Sequence, residues 1–460
     1  MHFPLFARLP GQDVMSQRKR TAVTALAGFR QQTGKAQTAR RPRGFLSLQY
    51  PTGERIMRAK AILVCAFLLT SAITLLAGTY KELQTFDFNG YANTPYAGLV
   101  FDQAGDLYGV AAYGLDYTDG TLFELSPSPS GWLYSSRFEF QHAYPEYYED
   151  LGSEPIGGLA IDEANHVYAT LSQNGSQDGV TFYGCGTVFS LSTAAVIHVF
   201  SGPDGCNPES DLTYFNGRLW GTTRSGGLQG KGTVFSLDTA GGSFQSNSFF
   251  GTTGRQPSGG FNAWGYGVTY AGGGVGKGNI YRLDPQLGPI NKHSFGPKWT
   301  AGYAPVGDLL AVYVGGVRTM YGTTSAGGPR GGGTVYRLTE IEPNSDRWRL
   351  TVLHSFSQGG PKGWASKAGL AMGANGNLYG TTFRGGKTDC GTVFKLAPTK
   401  WGAWTYTVLH SFNGIFTSEN PEPEGCHPTS GVVLDSAGNL YGTTSEGGPS
   451  MGGVVYQITP

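Results

Sequence analysis

The feature of this chain that most constrains its fold is an internal repeat with a period of 46 to 62 residues. A phrase of the form LYGTTSEGG occurs seven times. Its central glycine, or the alanine that replaces it, falls at Gly109, Ala169, Gly221, Gly267, Gly322, Gly380 and Gly442. A second phrase, GTVF or a variant, begins 11 residues later in six of the seven copies. Such a fixed offset indicates one supersecondary unit that is repeated along the chain.

Two further phrases complete the repeated unit. Before each copy, as in AGLVFDQAGDLYG, an apolar run leads through a Gly, Asn or Asp pair into the next apolar run, a pattern typical of a tight hairpin. A last run ends each unit on a phenylalanine, which we place at Phe88 (ahead of the first unit), Phe140, Phe200, Phe250, Phe295, Phe356 and Phe412. The unit therefore contains four strands, named A (AGLVFD), B (NLYGTTS), C (GTVFKL) and D (TVLHSF).

The two ends of the repeat region predict how the units close on each other. The last unit stops after strand C, whereas the residues before the first unit supply a spare strand D. We expect residues 80–88 to pair beside residues 453–458. Four-stranded units in a closed ring form a β-propeller, and closure removes exposed sheet edges. The sequence thus predicts an all-β fold, a seven-bladed β-propeller over residues 79–460, closed by an N-terminal strand that completes the last blade.

These repeats resemble the GloVer tandem-repeat family of exported bacterial proteins, in which a G-T-V-F phrase follows an L-Y-G-T-T phrase. The resemblance covers about residues 79–460. It implies propeller-like repeats and export, and it implies no particular activity.

The region before the repeats is interpreted as a leader. Residues 1–56 are a basic, low-complexity extension, and Met57 is an alternative translation start. Residues 57–78 have the charged start, apolar run and small-residue end of a signal peptide; an uncleaved membrane anchor is the alternative. We therefore expect an exported protein that is extracellular, on the cell surface or periplasmic, and that touches the membrane only if this segment is uncleaved.

Composition excludes two classes of protein. Aromatic residues make up 13% of the chain and 73 residues are glycine, which argues against wholesale disorder and for short strands with tight turns. The excess of Lys and Arg is confined to the leader, and the remaining 400 residues are mildly acidic, so no nucleic-acid partner is expected.

The cysteines predict disulfides. Apart from Cys65 in the leader, the chain contains four cysteines, an even number that suits an exported protein. Cys185 and Cys390 stand at the start of strand C in blades two and six, and Cys206 and Cys426 lie in the D–A loops that follow. Because B–C and D–A loops share one face of a propeller, we expect the pairs Cys185–Cys206 and Cys390–Cys426.

Several polar and aromatic residues recur at fixed repeat positions, so we assign them to structure. The histidines and tryptophans of strand D are expected to pack at the outer edge of the blades: His198, His293, His354, His410, Trp132, Trp348 and Trp404. Asp102, Asp162 and Asp435 precede A–B turns and are expected to bind the turn backbone rather than a metal ion. Gly276-Lys277 lacks the Ser or Thr of a phosphate-binding loop.

The long D–A loops vary most between units, and a ligand site is expected on their face. They contain exposed aromatic candidates for ligand binding: Tyr96, Tyr144, Tyr147, Tyr148, Trp299, Tyr303, Trp364 and Phe416. We expect a monomeric binding protein whose ligand is a polysaccharide or a protein partner. No catalytic residue, cofactor or metal site is identified. The alternative is a propeller lyase or hydrolase acting on a glycan or lactone, which would need acids or a histidine at the axis of this face.

Overall fold

The computed structural model describes residues 79–90, 92–114, 118–141, 151–175, 184–296, 300–414 and 423–460. In these ranges the chain forms thirty strands and no helix. Consistent with this, none of the described segments is a helix that could span a membrane.

The strands are arranged as seven sheets, each built from consecutive strands of one repeat. The first strand of the chain is β1 (Thr79–Asp87), and it is followed by blade one, β2 (Val100–Phe101), β3 (Leu107–Ala111), β4 (Thr118–Ser128) and β5 (Gly131–Gln141); blade two, β6 (Ala160–Ile161), β7 (Val167–Leu171), β8 (Thr187–Ser190) and β9 (Ala195–Val199); and blade three, β10 (Thr213–Phe215), β11 (Arg218–Thr223), β12 (Thr233–Asp238) and β13 (Gln245–Ser248). Next come blade four, β14 (Arg255–Pro257), β15 (Tyr266–Ala271), β16 (Asn279–Asp284) and β17 (Gly288–Ser294); and blade five, β18 (Tyr303–Val314), β19 (Val317–Ala326), β20 (Gly331–Glu340) and β21 (Trp348–Ser357). The last two are blade six, β22 (Ala371–Met372), β23 (Leu378–Thr382), β24 (Thr392–Pro398) and β25 (Trp404–Ser411); and blade seven, β26 (Gly425–Cys426), β27 (Val433–Leu434), β28 (Leu440–Thr444), β29 (Glu446–Gly447) and β30 (Met451–Thr459).

The predicted ring closure is confirmed. Strand β1 pairs antiparallel with β30, with Thr79 opposite Thr459 and Asp87 opposite Met451. It is therefore the fourth strand of blade seven, after β27, β28 and β30. The small pair β26–β29, which the repeat pattern did not predict, extends this blade at the loop face.

The repeated glycine of strand B is explained by the aromatic residue of strand C. A Cβ atom added to Gly109 would lie 2.3 Å from the Phe123 ring, and one added to Gly442 would lie 2.4 Å from the Tyr456 hydroxyl oxygen. The tip of the aromatic side chain occupies the space next to the glycine, so any side chain there would overlap it.

Neighbouring blades are joined by a repeated hydrogen bond. The threonine after the strand B glycine donates its hydroxyl hydrogen to a backbone carbonyl at the start of the next blade: Thr222 to Gly259, Thr323 to Ala368, Thr381 to Ser430, and Thr443 to Ala97. The last of these, at 3.0 Å, connects blade seven to blade one. Blades three, five, six and seven are thus each bonded to the next blade, and the bond of blade seven closes the ring.

Two predicted positions of the closing phenylalanine are wrong. The buried residue is Phe86 rather than Phe88, and Phe249 rather than Phe250. In each case two nearby phenylalanines allowed two registers. Phe88 lies beyond the end of β1 and is 62% exposed, whereas Phe86 is 2% exposed and packs on Phe123.

Three of the four recurrent histidines and the three recurrent tryptophans contact a ring of a neighbouring blade, whereas His293 contacts Phe295 of its own blade. His198, His354 and His410 stack on an outer-strand ring of the next blade, with Phe244, Tyr406 and Tyr80 as partners at centroid distances of 3.7, 4.1 and 4.2 Å. Trp132, Trp348 and Trp404 contact a strand B tyrosine of the preceding blade, namely Tyr441, Tyr266 and Tyr321. The tryptophans therefore join blades rather than only cover an outer edge, a role that sequence spacing alone did not reveal.

The predicted turn-stabilising role of the aspartates is also confirmed. Asp102 accepts hydrogen bonds from the backbone N–H groups of Ala104 and Asp106. Asp162 and Asp435 make the same pair of bonds in their own turns.

Candidate functional site

The inner segments of all seven blades enclose a cavity of about 640 Å³ on the propeller axis. Its wall is formed by 96–100, 156–159, 209–212, 256–259, 306–308, 367–370 and 429–433. Arg224 and Tyr270, which belong to the B–C side of their blades, also line it. The cavity therefore opens on the B–C and D–A loop face, where the sequence placed its candidate ligand site.

One residue from each blade surrounds the entrance, and we call this set the mouth ring: Tyr96, Ile156, Glu209, Ser258, Val306, Lys367 and Thr429. In six blades this residue follows a proline. That proline packs against the glycine that begins strand C of the preceding blade; a Cβ added to Gly120, for example, would lie 2.5 Å from Pro155. The repeat thus fixes the backbone at the entrance while the chemistry of the mouth ring varies.

Two residues further along each blade is a second set, which we call the axial ring and of which all but Gly260 line the cavity: Gly98, Gly158, Asp211, Gly260, Asp308, Gly369 and Gly431. Five blades have glycine at this position and two have aspartate. Each aspartate fits against a glycine of the preceding blade. A Cβ on Gly158 would lie 1.9 Å from an Asp211 oxygen, and one on Gly260 would lie 2.9 Å from both Asp308 oxygens. The Gly158 and Gly260 N–H groups donate to these carboxyl groups.

Burial dominates the electrostatics of the two aspartates. Desolvation raises the pKa of Asp211. Desolvation, together with the nearby charge of Asp211, raises the pKa of Asp308 to about 7. No Lys, Arg or His of the described segments forms an ion pair with either carboxyl group. Both carboxyl groups therefore release their protons at a higher pH than ordinary aspartates do.

Tyr281 lies beside this pair, behind the channel wall. Its side chain is fully buried, and its hydroxyl group has no hydrogen-bond partner. Burial raises the pKa of Tyr281, and the charge of Asp308 raises it further. The hydroxyl groups of Tyr336 and Tyr456, at the same strand C position of blades five and seven, are unpaired in the same way, so the unpaired hydroxyl is a feature of the repeat rather than of the cavity.

The entrance contains charges of both signs. Glu209 pairs with Arg224, whose Nη1 lies 3.1 Å from one carboxylate oxygen. Burial raises the pKa of Glu209 while Arg224 lowers it, and the net shift is upward. The pKa of Lys367 is lowered by burial and by the charges of Arg224 and Arg384. The entrance therefore carries both cationic and acidic side chains, whereas the only charged residues of the axial ring are aspartates.

The aromatic residues predicted from sequence to bind a ligand differ in whether they line the cavity. Tyr96 is 42% exposed and lines the cavity. Tyr303 and Trp364 are half-buried and do not line it; the Lys277 ammonium lies 4.7 Å from the Tyr303 ring centre, and Arg384 lies 5.9 Å from that of Trp364. The remaining candidates lie outside the described residues: Tyr144, Tyr147, Tyr148, Trp299 and Phe416. The role of all eight residues in ligand binding stays a prediction.

Both predicted disulfides are present. Cys185 pairs with Cys206 and Cys390 with Cys426, with Cα atoms 4.3 and 4.5 Å apart. Cys206 and Cys426 each stand three residues before a member of the mouth ring, Glu209 and Thr429. The bridges therefore anchor the entrance at two places.

Asp211 and Asp308 were not identified from the sequence. The signal was available, because both replace a glycine that five of the seven strand A phrases contain. A single Gly-to-Asp difference in an otherwise ordinary strand A forms no local motif, so its meaning depends on the position of the strand at the axis. No group of three or more His, Cys, Asp or Glu residues that could hold a metal ion occurs in the part of the chain that the structure describes.

The fold and cavity define a seven-bladed β-propeller with an axial ligand-sized chamber. The profile of the Gloeobacter/Verrucomicrobia repeat matches residues 155–340 and 265–460. The chain belongs to this repeat family, which confirms the resemblance seen in its sequence. No curated protein sequence matches the chain significantly.

The solved structures to which this chain is similar include those of three bacterial proteins. A putative oxidoreductase (glucose dehydrogenase) of Thermus thermophilus is 15% identical, with a TM-score of 0.41, and the match covers 83% of this chain and 99% of that one. A Xanthomonas campestris gluconolactonase is 12% identical, with a TM-score of 0.39 over 83% and 89%. A putative 6-phosphogluconolactonase of Bacteroides fragilis is 14% identical, with a TM-score of 0.44 over 75% and 88%. Similarity this low does not extend their activities to this chain.

Proposed function

We propose that this protein is an exported binding propeller that holds part of a polysaccharide in its axial cavity. The observation that carries the proposal is the cavity itself. Its volume of about 640 Å³ lies within the range of ~300–1,000 Å³ typical of small-molecule sites. A concave chamber of this size suits a sugar chain end better than the flat contact of a protein partner.

The chemistry of the entrance supports a carbohydrate ligand. Tyr96 offers an exposed aromatic face on which a sugar ring can stack, and Ser258 and Thr429 contribute hydroxyl groups. The disulfides and the predicted signal peptide support export.

The proposal is tested by screening the secreted protein on a glycan array and measuring the affinity of each hit by calorimetry. Tyr96→Ala is expected to weaken binding about 2- to 12-fold, which corresponds to the ~0.5–1.5 kcal/mol of an aromatic contact. Trp401→Ala is the control, because this residue is 83% exposed in a C–D turn on the opposite face. Equal losses in the two variants, or no glycan bound at all, would refute the proposal.

A hydrolase acting on a glycan or a lactone is the second candidate. It is favoured by the two carboxyl groups in the cavity, because an acid that keeps its proton near pH 7 can act as a general acid and a neighbouring carboxylate as a general base. Incubation of the array hits and of simple lactones with the protein tests this function. Turnover that disappears in Asp308→Asn would support it, and absence of turnover on every bound glycan would exclude it for those ligands.

A further inference from the structure

The two axial aspartates are not required by the fold. Five blades build the same inner strand with glycine at this position. In blades three and five the carboxyl groups of Asp211 and Asp308 extend from the strand towards the preceding blade and line the cavity. Repeat positions that are needed for folding recur from blade to blade. The two aspartates depart from the repeat, which indicates a role in binding a ligand in the cavity rather than in building its wall.

Both carboxyl groups are poorly compensated compared with other acids of the protein. Asp435 accepts two backbone N–H bonds and further bonds from Asn439 and Tyr441, and the buried Glu340 pairs with Arg318. By contrast, Asp211 and Asp308 each receive one backbone N–H group. Both aspartates are partly exposed to the cavity, and a carboxylate that loses part of its hydration without gaining a counter-ion is destabilised. Because both residues line the cavity, a ligand there can donate to the lone pairs that the N–H groups do not use.

The charge of the pair limits what that donor can be. Burial raises the pKa of both carboxyl groups, and the charge of Asp211 raises that of Asp308 further, to about 7, so the two negative charges disfavour each other. A positively charged ligand group relieves this repulsion. A calcium ion would need six to eight oxygen ligands, and the described residues offer no cluster of three or more acidic or histidine side chains. Sugar hydroxyl groups could fill the lone pairs but would leave the negative charge unbalanced.

We propose that the axial cavity selects a saccharide that carries a protonated amino group, and that Asp211 and Asp308 bind this ammonium group while the mouth ring contacts the hydroxyl groups. The inference rests on the proposed function and names the ligand class of the same site.

Three disaccharides that differ only at carbon 2 test the proposal: the β-1,4-linked glucosamine dimer, its N-acetylated form and cellobiose. Their affinities for the whole secreted protein are measured by calorimetry at pH 7. The wild type is expected to bind the amine at least about tenfold more tightly than either neutral sugar. Asp211→Asn and Asp308→Asn, made singly, are each expected to reduce this preference to about threefold or less. Glu163→Gln, an exposed acid in an A–B turn of the opposite face, is expected to leave it unchanged.

The possible outcomes distinguish a failure of the amine proposal from a failure of the proposed carbohydrate site. Equal wild-type affinity for all three disaccharides overturns the amine proposal and leaves the carbohydrate site standing. Binding of none of them, with no hit on the glycan array, overturns both. Displacement of the amine by calcium ions alone at equal concentration identifies a metal site and also overturns the proposal. Because the wild-type preference needs no variant, the test stays decisive even if one substitution prevents folding.

Discussion

The stability contributed by ring closure can be tested at two phenylalanines of the N-terminal strand. Phe86 is 2% exposed and packs in a cluster with Leu99, Phe123 and Val455, with its ring centre 5.2 Å from that of Phe123. Phe86→Ala removes the whole ring from a cluster shared by blades seven and one. Truncation of a buried phenylalanine costs about 3–5 kcal/mol, so we expect the free energy of unfolding to fall by that amount.

Phe88→Ala is the matched control. It removes the same atoms two residues further along, where the side chain is 62% exposed, and surface changes of this kind are usually within about 0.5 kcal/mol. Urea unfolding followed by tryptophan fluorescence gives both values, with the slope against urea reporting any change in the exposed surface. If the two variants lose the same stability, β1 does not close the ring as described. A truncation that removes residues 79–90 and remains as stable as the whole chain would lead to the same conclusion.

Three further predictions concern the disulfides, the repeat glycine and the axial acids. Replacing Cys185 and Cys206 together by serine should lower the free energy of unfolding by about 3 kcal/mol, and replacing Cys390 and Cys426 together should lower it by about 4 kcal/mol. The second loss is larger because the second disulfide closes a loop of 36 residues and the first a loop of 21. Chemical denaturation measures both losses, and the reverse order would contradict the dependence on loop length. Gly442→Ala should cost about 1–3 kcal/mol because its Cβ would overlap the Tyr456 hydroxyl group, whereas Gly251→Ala, with no atom within 4 Å, should be neutral in the same thermal-melt comparison. Between about pH 4 and pH 7 the folded protein keeps the Asp308 proton that the unfolded chain has released, so this residue's contribution to stability falls as pH rises through that window. Asp308→Asn should therefore raise the melting temperature relative to wild type more at pH 8 than at pH 5, and a difference independent of pH would count against a desolvated acid.

The architecture could be predicted from the sequence because the repeats within one chain can be aligned with each other. Strand order, ring closure and both disulfides followed from the spacing of the GTVF and LYGTT phrases. The errors arose where spacing is degenerate. Phe249 stands beside Phe250, and Phe86 is separated from Phe88 by one residue, so only the side on which each ring packs distinguishes the correct register.

The candidate site was harder to predict because it is formed by residues that are distant in sequence and meet only around the propeller axis. Tyr96 was identified as an exposed loop aromatic, and the structure places it at the cavity entrance. Asp211 and Asp308 belong to blades that are not adjacent in the ring, and each lies in an otherwise ordinary strand A. Their significance appears only when the seven inner strands are placed around one channel, because their desolvation and mutual repulsion are properties of that channel.

The central claim is that the axial cavity is where the ligand binds, and the most direct test is a crystal structure of the secreted protein with the tightest-binding of the three disaccharides. The account predicts sugar density between the mouth ring and the axial ring, with a ligand donor about 2.7–3.2 Å from a carboxylate oxygen of Asp211 or Asp308. Sugar bound on any other surface, with only water in the cavity, would contradict it.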